Sequence, residues 1–274
     1  MSDKIPVIII HNGFQDYLRY TIIQANKQNK VYLLGNTNVD LKLDNFETVN
    51  FSGLSDGFEE LKKNYVHLNT TPFEYELFCY QRWYIIRNFM SAKKLDVVFY
   101  IDSDVLLYAD VDKEWCKYDK YTMTLLHRSA ATSSFITYKG ICDFCKLLTY
   151  AYSNKNSYVF KKIESHFRVR QECRLAGGVC DMTLLEHFHR EDDLGGGPGR
   201  VGEMMQIIDD STYDHNINTA DNDFSYKNGA KEIKIVDKQP YVFNIKLNKD
   251  IKFNALHFQG QAKSRMGDIY ARTS

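Results

Sequence analysis

The feature that most constrains this chain is the stretch from Asp96 to Asp110, "DVVFYIDSDVLLYAD". Five consecutive apolar residues, Val97, Val98, Phe99, Tyr100 and Ile101, have the length and β-branched or aromatic character of a strand buried on both faces. The run ends on two acids, Asp102 and Asp104. A carboxylate carried to the end of a buried strand is costly unless it is paired or holds a cation. On extended backbone, residues i and i+2 share a face. At the C-terminal end of a strand the chain also turns, so both acids can reach one ion. Two carboxylates suit a hard cation such as Mg²⁺ or Mn²⁺, which takes oxygen ligands and keeps phosphate oxygens in its shell. The competing reading is a solvated loop in which Asp102 caps a helix.

The surroundings of that strand predict a parallel sheet. "KIPVIIIHNG" reads as a buried strand ending in a turn. "FQDYLRYTIIQANKQN" follows at helical spacing, with Tyr17, Leu18, Tyr20 and Ile23 on one face, and "KVYLLGN" is a second strand. This β-α-β opening marks a parallel α/β sheet. Residues 73 to 95 form a long amphipathic helix that feeds the strand ending at Asp102. "YTMTLL" and "SSFITYK" are further strands, the second at a sheet edge, and "GICDFCKLLTYAYSN" is a helix. Residues 161 to 176 read as basic and irregular, and "DMTLLEHFHRE" as a helix with Asp181 near its start. "KEIKIV", "YVFNIKL" and "NALHFQG" are strand-like. Residues 1 to 274 read as one domain.

Other matches are set aside on physical grounds. Gly197, Gly199 and Gly202 spell GxGxxG, but no strand precedes them and Pro198 interrupts them. Cys142 and Cys145 form a lone CxxC, which at helical spacing reads as two buried small hydrophobes rather than a zinc site. His187 and His189, near Glu186, have poor ligand geometry on a helix and read as a solvated helix end. The 35 basic and 35 acidic residues cancel, so no global field draws in nucleic acid or anionic membrane. No segment has the length of a transmembrane anchor, and the run from Ile5 to Ile10 is too short for a signal sequence. The expectation is a soluble cytoplasmic protein whose six cysteines stay reduced.

"YIDSDVLLYADVDKEW" resembles the metal-binding DxD segment of glycosyltransferases of the GT-A fold, and "HFQGQAK", residues 257 to 263, resembles the HxxGxxK element of the glycogenin and lipopolysaccharide galactosyltransferase group. The likeness covers the scaffold from residue 5 to about 268 and is specific at these two motifs. It implies a single Rossmann-like GT-A domain with a mostly parallel central sheet flanked by helices. The implied activity is metal-dependent transfer of a sugar from a nucleotide-sugar, a UDP-sugar, to a hydroxyl of a glycan or other acceptor. It also implies that Asp102, Asp104 and His257 hold Mn²⁺ or Mg²⁺ and that Ser103, Gly260 and Lys263 contact the donor. Arg82, with Arg87 as rival, would reach the donor sugar and phosphate. Asp181 takes the place of the group's Asp-Gln motif, as catalytic base or beside the sugar, with a plain helix cap as the alternative. Asn12, Gln15, Asp16 and Tyr17 are candidates for the nucleobase and ribose, with Asn12 and Tyr17 preferred. The group continues with Pro-Trp where this chain has Ser264 and Arg265, which leaves its phosphate loop open and offers Arg265 as a further phosphate partner. The group is retaining, but stereochemistry stays open. Two rivals stand beside this reading. One is a haloacid-dehalogenase-like phosphatase, whose signature "FYIDSDVLL" also fits. The other is a non-catalytic nucleotide-sugar-binding protein.

Overall fold

The computed structural model describes residues 4–37, 39–221 and 223–274. The opening is the expected β-α-β unit. β1 (Val7–His11) runs parallel to β2 (Val31–Gly35) across α1 (Leu18–Asn26), and β3 (Phe46–Asn50) adds a third parallel strand outside β2. α2 (Phe58–Asn64) and the long α3 (Phe73–Lys93) follow. Lys94, in the left-handed region at φ 56°, stops α3, and its amide bonds back to Met90 and Ser91. The chain then enters β4 (Val97–Ile101), parallel to β1 on its other side.

β4 shows why five apolar residues stand in a row. Val98 and Tyr100 join the core under α3, with Trp83, Phe89 and Phe144. Phe99 and Ile101 join the opposite core under α1, with Leu18 and Ile22. Each large side chain so buried contributes about 1.5–3 kcal/mol, and a strand covered on both faces needs apolar residues at every position.

After a tight turn at 102–104, β5 (Val105–Leu107) leaves this sheet for a second one. α4 (Val111–Trp115) precedes β6 (Met123–Leu125) and β7 (Ser133–Thr137). α5 (Tyr138–Ser153), α6 (Tyr158–Glu172) and α7 (Asp181–Arg190) precede β8 (Val201–Glu203). The central sheet runs β3-β2-β1-β4-β7-β6-β8. Its pairs are parallel except where β7 lies antiparallel to β4 and β6.

The remaining strands are β9 (Ser211–Tyr213), β10 (Tyr226–Lys227), β11 (Ala230–Lys231), β12 (Ile233–Val236), β13 (Gln239–Asn244) and β14 (Lys249–His257). β12, β13, β14 and β5 form the second sheet, with β9 parallel to β14. α8 (Met266–Thr273) closes the chain. Among the described residues no helix is long and apolar enough to cross a membrane.

Four expectations are corrected. Residues 158–172 are helical: Val159, Phe160 and Ile163 form a buried stripe that the surrounding Lys and Arg residues disguise in the sequence. β7 is interior rather than at an edge. Its buried Ser134 donates to the Thr124 carbonyl at 2.5 Å and its Phe135 amide to Thr124 Oγ1 at 2.8 Å, so its polarity is satisfied inside the sheet. α1 buries Leu18 of the expected face together with Thr21, Ile22 and Ala25, while Tyr17 and Tyr20 are only partly buried, against the core of the second sheet. His189 is buried within 3.5 Å of Glu203 rather than solvated.

Gly140 shows how tightly α5 docks. A Cβ there would stand 2.2 Å from the Thr122 carbonyl oxygen. Gly140→Ala would gain about 1 kcal/mol of helix propensity, but the clash with the backbone just before β6 outweighs it. We expect a net loss of roughly 2 kcal/mol or more, seen as a lower urea midpoint. An unchanged or raised midpoint would show that α5 does not pack there.

Candidate active site

The turn after β4 and the end of β14 meet at the C-terminal edge of β1 and β4. β5 pairs antiparallel with β14, setting His257 opposite Val105, and the Phe258 amide donates to the Asp104 carbonyl at 2.9 Å. Ligand atoms of Asp102, Asp104 and His257 consequently all lie within 4.8 Å of one another. Asp104 and His257 are buried, and Asp102 is half-buried.

His257 is oriented by backbone. Its Nδ1 donates to the His215 carbonyl at 2.5 Å, which leaves Nε2 facing Asp104 Oδ1 at 3.4 Å. A carbonyl on the far nitrogen is the usual support of a metal-binding imidazole. Its amide donates to Asp214 Oδ2 at 3.1 Å. Asp214 in turn binds the buried Lys231 at 2.8 Å, a brace that the sequence did not disclose.

Lys263 Nζ lies 2.6 Å from Asp104 Oδ2 and 5.5 Å above the Tyr17 ring. Burial works to raise the pKa of Asp104, but His257 and Lys263 outweigh it and hold it below the usual range. Burial would lower the pKa of His257, but hydrogen bonding and charge from Asp104, with help from Asp102, raise it to about 9.

Arg82, not Arg87, belongs to the site. Its guanidinium spans two carboxylates, donating to Asp102 Oδ1 at 3.1 Å and to Asp181 Oδ2 at 3.1 and 2.5 Å, and it also reaches Tyr100. Arg87 faces Asp56 and Asn88 instead. Asp181 is the first residue of α7 rather than its cap, which is Cys180. It is 2% exposed. Its Oδ2 also accepts from Trp83 at 2.9 Å, and its Oδ1 accepts from the Met182 amide. Both oxygens of Asp181 are thus already engaged within the protein, by Arg82, Trp83 and the Met182 amide.

Arg82, Asp102, Asp104 and Lys263 border a cleft of about 470 Å³ lined chiefly by residues of β1, α3 and the 102–104 turn, whereas Asp181 and His257 do not line it. Asn12, Tyr17, Arg82, Asp102, Ser103 and Asp104 all line it. Ser103 Oγ meets His11 Nδ1 at 3.0 Å. Three other candidates lie elsewhere. Gln15 and Asp16 are exposed outside the cleft, and Arg265 borders a different groove with Lys227 and Phe243. Gly260 does not line the cleft; its φ of +61° accounts for the glycine, since nothing lies within 4 Å of a Cβ built there.

Sequence reasoning missed Tyr75, Phe78 and Cys79, which line the cleft together with Arg82. Their spacing puts them on one stripe of α3, a signal present in the sequence but absorbed into the amphipathic reading. It also missed His11, which lines the cleft and whose Nε2 is buried without a hydrogen-bond partner.

No family description and no curated protein sequence matches the chain. Among solved structures, mouse xyloside xylosyltransferase 1 aligns at 6% identity over 73% of this chain and 85% of that one, with a TM-score of 0.49. An active-site mutant of LgtC aligns at 11% identity over 97% and 95%, with a TM-score of 0.48. A glycosyltransferase involved in glycosylation of the major capsid of PBCV-1 aligns at 9% over 97% and 98%, with a TM-score of 0.39. All three likenesses are remote, and no residue role is carried over from them.

The raised pKa of His257 carries a sign for stability. A histidine whose folded pKa lies above its unfolded value of ~6.5 stabilises fully below that value and loses the contribution as pH rises through the folded pKa. Chelator-treated protein should therefore lose on the order of 3 kcal/mol of unfolding free energy between about pH 6.5 and 9. Asp104→Asn should flatten that slope. Guanidinium titrations at stepped pH test this; equal slopes in the two proteins would refute the coupling.

Proposed function

We propose that this protein is a metal-dependent glycosyltransferase that moves a sugar from a nucleoside-diphosphate sugar, a UDP-sugar, to a hydroxyl of a glycan or related acceptor. The observation that carries the reading is the convergence of Asp102, Asp104 and His257 from distant parts of the chain on one point, with Lys263 beside them. The donor set fits Mn²⁺ or Mg²⁺: two carboxylates, and an imidazole whose other nitrogen is already engaged. When bound there, such a cation supplies charge neutralisation for a departing diphosphate.

The chain's own residues supply the rest. Lys263 offers a mobile ammonium to phosphate oxygens. Tyr75, 62% exposed at the cleft rim, and Phe78 give flat apolar surface for a nucleobase. Asn12, Ser103 and the unpaired His11 Nε2 offer hydrogen bonds to ribose and phosphate. Arg82 presents its guanidinium to the donor sugar, and Asp181 acts through it as a positioning residue, holding it in place against Asp102. We assign the reaction to the cytoplasm, in keeping with six free cysteines.

The phosphatase rival finds less support. The first acid of its signature would have to attack phosphorus, yet Asp102 Oδ1 accepts from both Arg82 and Tyr100.

Calorimetry with UDP, with and without Mn²⁺, tests the reading. Wild type should bind UDP only in Mn²⁺, and Asp104→Asn should lose that binding while staying folded. His257→Ala should weaken cation and UDP together. Lys263→Ala should weaken UDP by roughly tenfold or more, the worth of a charge-assisted hydrogen bond, and the cation much less. Unchanged Mn²⁺-dependent affinity in Asp104→Asn would sink the assignment.

A further inference from the structure

A second group of ligand-type side chains lies next to the support of His257. His127 sits on the turn between β6 and β7, His215 follows β9, and Asp221 lies on the loop before β10. One ligand atom from each of them lies within 4.8 Å of the other two. The Asp221 side chain is only 7% exposed; its Oδ1 meets Lys231 at 3.0 Å, while its Oδ2 is buried without a hydrogen-bond partner. His127 Nε2 stands 4.0 Å from Asp221, too far for a hydrogen bond. Nδ1 of His215 is also buried and unpartnered. The two imidazole rings meet edge-on with centroids 4.8 Å apart.

A buried polar atom left unpaired is expensive, and the group of three ligand-type side chains contains such an atom in Asp221 Oδ2. The donor types say which kind of partner fits. Lys231 pairs with Asp214 and with Oδ1 of Asp221, which leaves Oδ2 unpartnered. Arg128, beside His127 in sequence, is turned to Glu203 at 2.8 Å. Two imidazoles and a carboxylate oxygen are the ligands of a metal cation.

We propose that His127, His215 and Asp221 form a second divalent-cation site, of the zinc class. Two imidazoles and one carboxylate with an open fourth position suit zinc better than Mg²⁺ or Mn²⁺. Ligand bonds of about 2.0–2.1 Å in a tetrahedron place ligand atoms roughly 3.4 Å apart. Closing the group takes a small movement, which the exposed turn carrying His127 can supply. The site would clip that turn to the segment whose His215 carbonyl holds His257. It shares no ligand with the Asp102–Asp104–His257 group, so it stands or falls independently of the proposed function.

Cobalt(II) makes this measurable, because tetrahedral Co²⁺ absorbs visibly where octahedral Co²⁺ scarcely does. Untagged, chelator-stripped Asp104→Asn protein should take up one equivalent of Co²⁺ with a tetrahedral spectrum, and one equivalent of Zn²⁺ should bleach it. Adding His127→Ala, an exposed position whose loss leaves the core intact, should weaken uptake at least a hundredfold with an unchanged circular dichroism spectrum. His215→Ala, which keeps the carbonyl that holds His257, should do the same. Absence of a tetrahedral spectrum in Asp104→Asn, or its survival in the His127→Ala background, would overturn the proposal. Equal Mn²⁺ binding by wild type and Asp104→Asn would instead count against the first centre alone.

Discussion

Everything at the site depends on one strand pairing. β5 and β14 meet antiparallel with Val105 opposite His257, Leu106 opposite Leu256 and Leu107 opposite Ala255. These six residues are buried, so the register is specified by apolar packing on both strands. A slip of one residue would turn the His257 side chain to the other face of the sheet and dissolve the group it forms with Asp102 and Asp104. The chain fixes that end of β14 a second time, through polar contacts. Asp214 receives the His257 amide, and Lys231 neutralises Asp214 while also meeting Asp221 and the carbonyls of Asn216 and Thr219. A buried ion pair stabilises little in itself, but losing one partner leaves an uncompensated charge inside. The arrangement therefore specifies a geometry more than it adds stability.

What could be read from the sequence was what one segment determines by itself. Val97 to Ile101 had to be a doubly buried strand, and Asp102 and Asp104 had to be dealt with at its end. The β-α-β opening and the helical periods of α3, α5 and α7 were legible for the same reason. α6 was not, because Val159, Phe160 and Ile163 lie among so many cations that composition hid the stripe. β7 was misplaced because its serines look solvated until Thr124 is seen across the sheet. The line Tyr75, Phe78, Cys79 and Arg82 carried a helical signal, but a cleft-facing stripe and a core-facing stripe have the same period. The Lys231–Asp214 brace leaves no local trace, since each residue alone reads as surface charge.

Arg82 shows how the site is held ready. One guanidinium joins Asp102, at the end of β4, to Asp181, at the start of α7. Burial disfavours its charge, yet the carboxylates on either side more than restore it and keep it protonated. Around it the acids Asp102, Asp104 and Asp181 are matched by Arg82, Lys263 and a His257 that is protonated at neutral pH. The centre is thus neutral as it stands, and that neutrality has a consequence for binding. A free Asp104 would be a poor neighbour for an incoming diphosphate, because like charges in a half-buried cleft repel strongly. Lys263 masks Asp104 at 2.6 Å, and it can turn to a phosphate only if another cation takes over that carboxylate. His257, likewise, must give up its proton before Nε2 can act as a ligand. On the proposed reading, cation and donor would therefore bind as one unit. A cation at Asp102, Asp104 and His257 would take the place of Lys263 on Asp104, which would leave the Lys263 ammonium free to meet a donor phosphate.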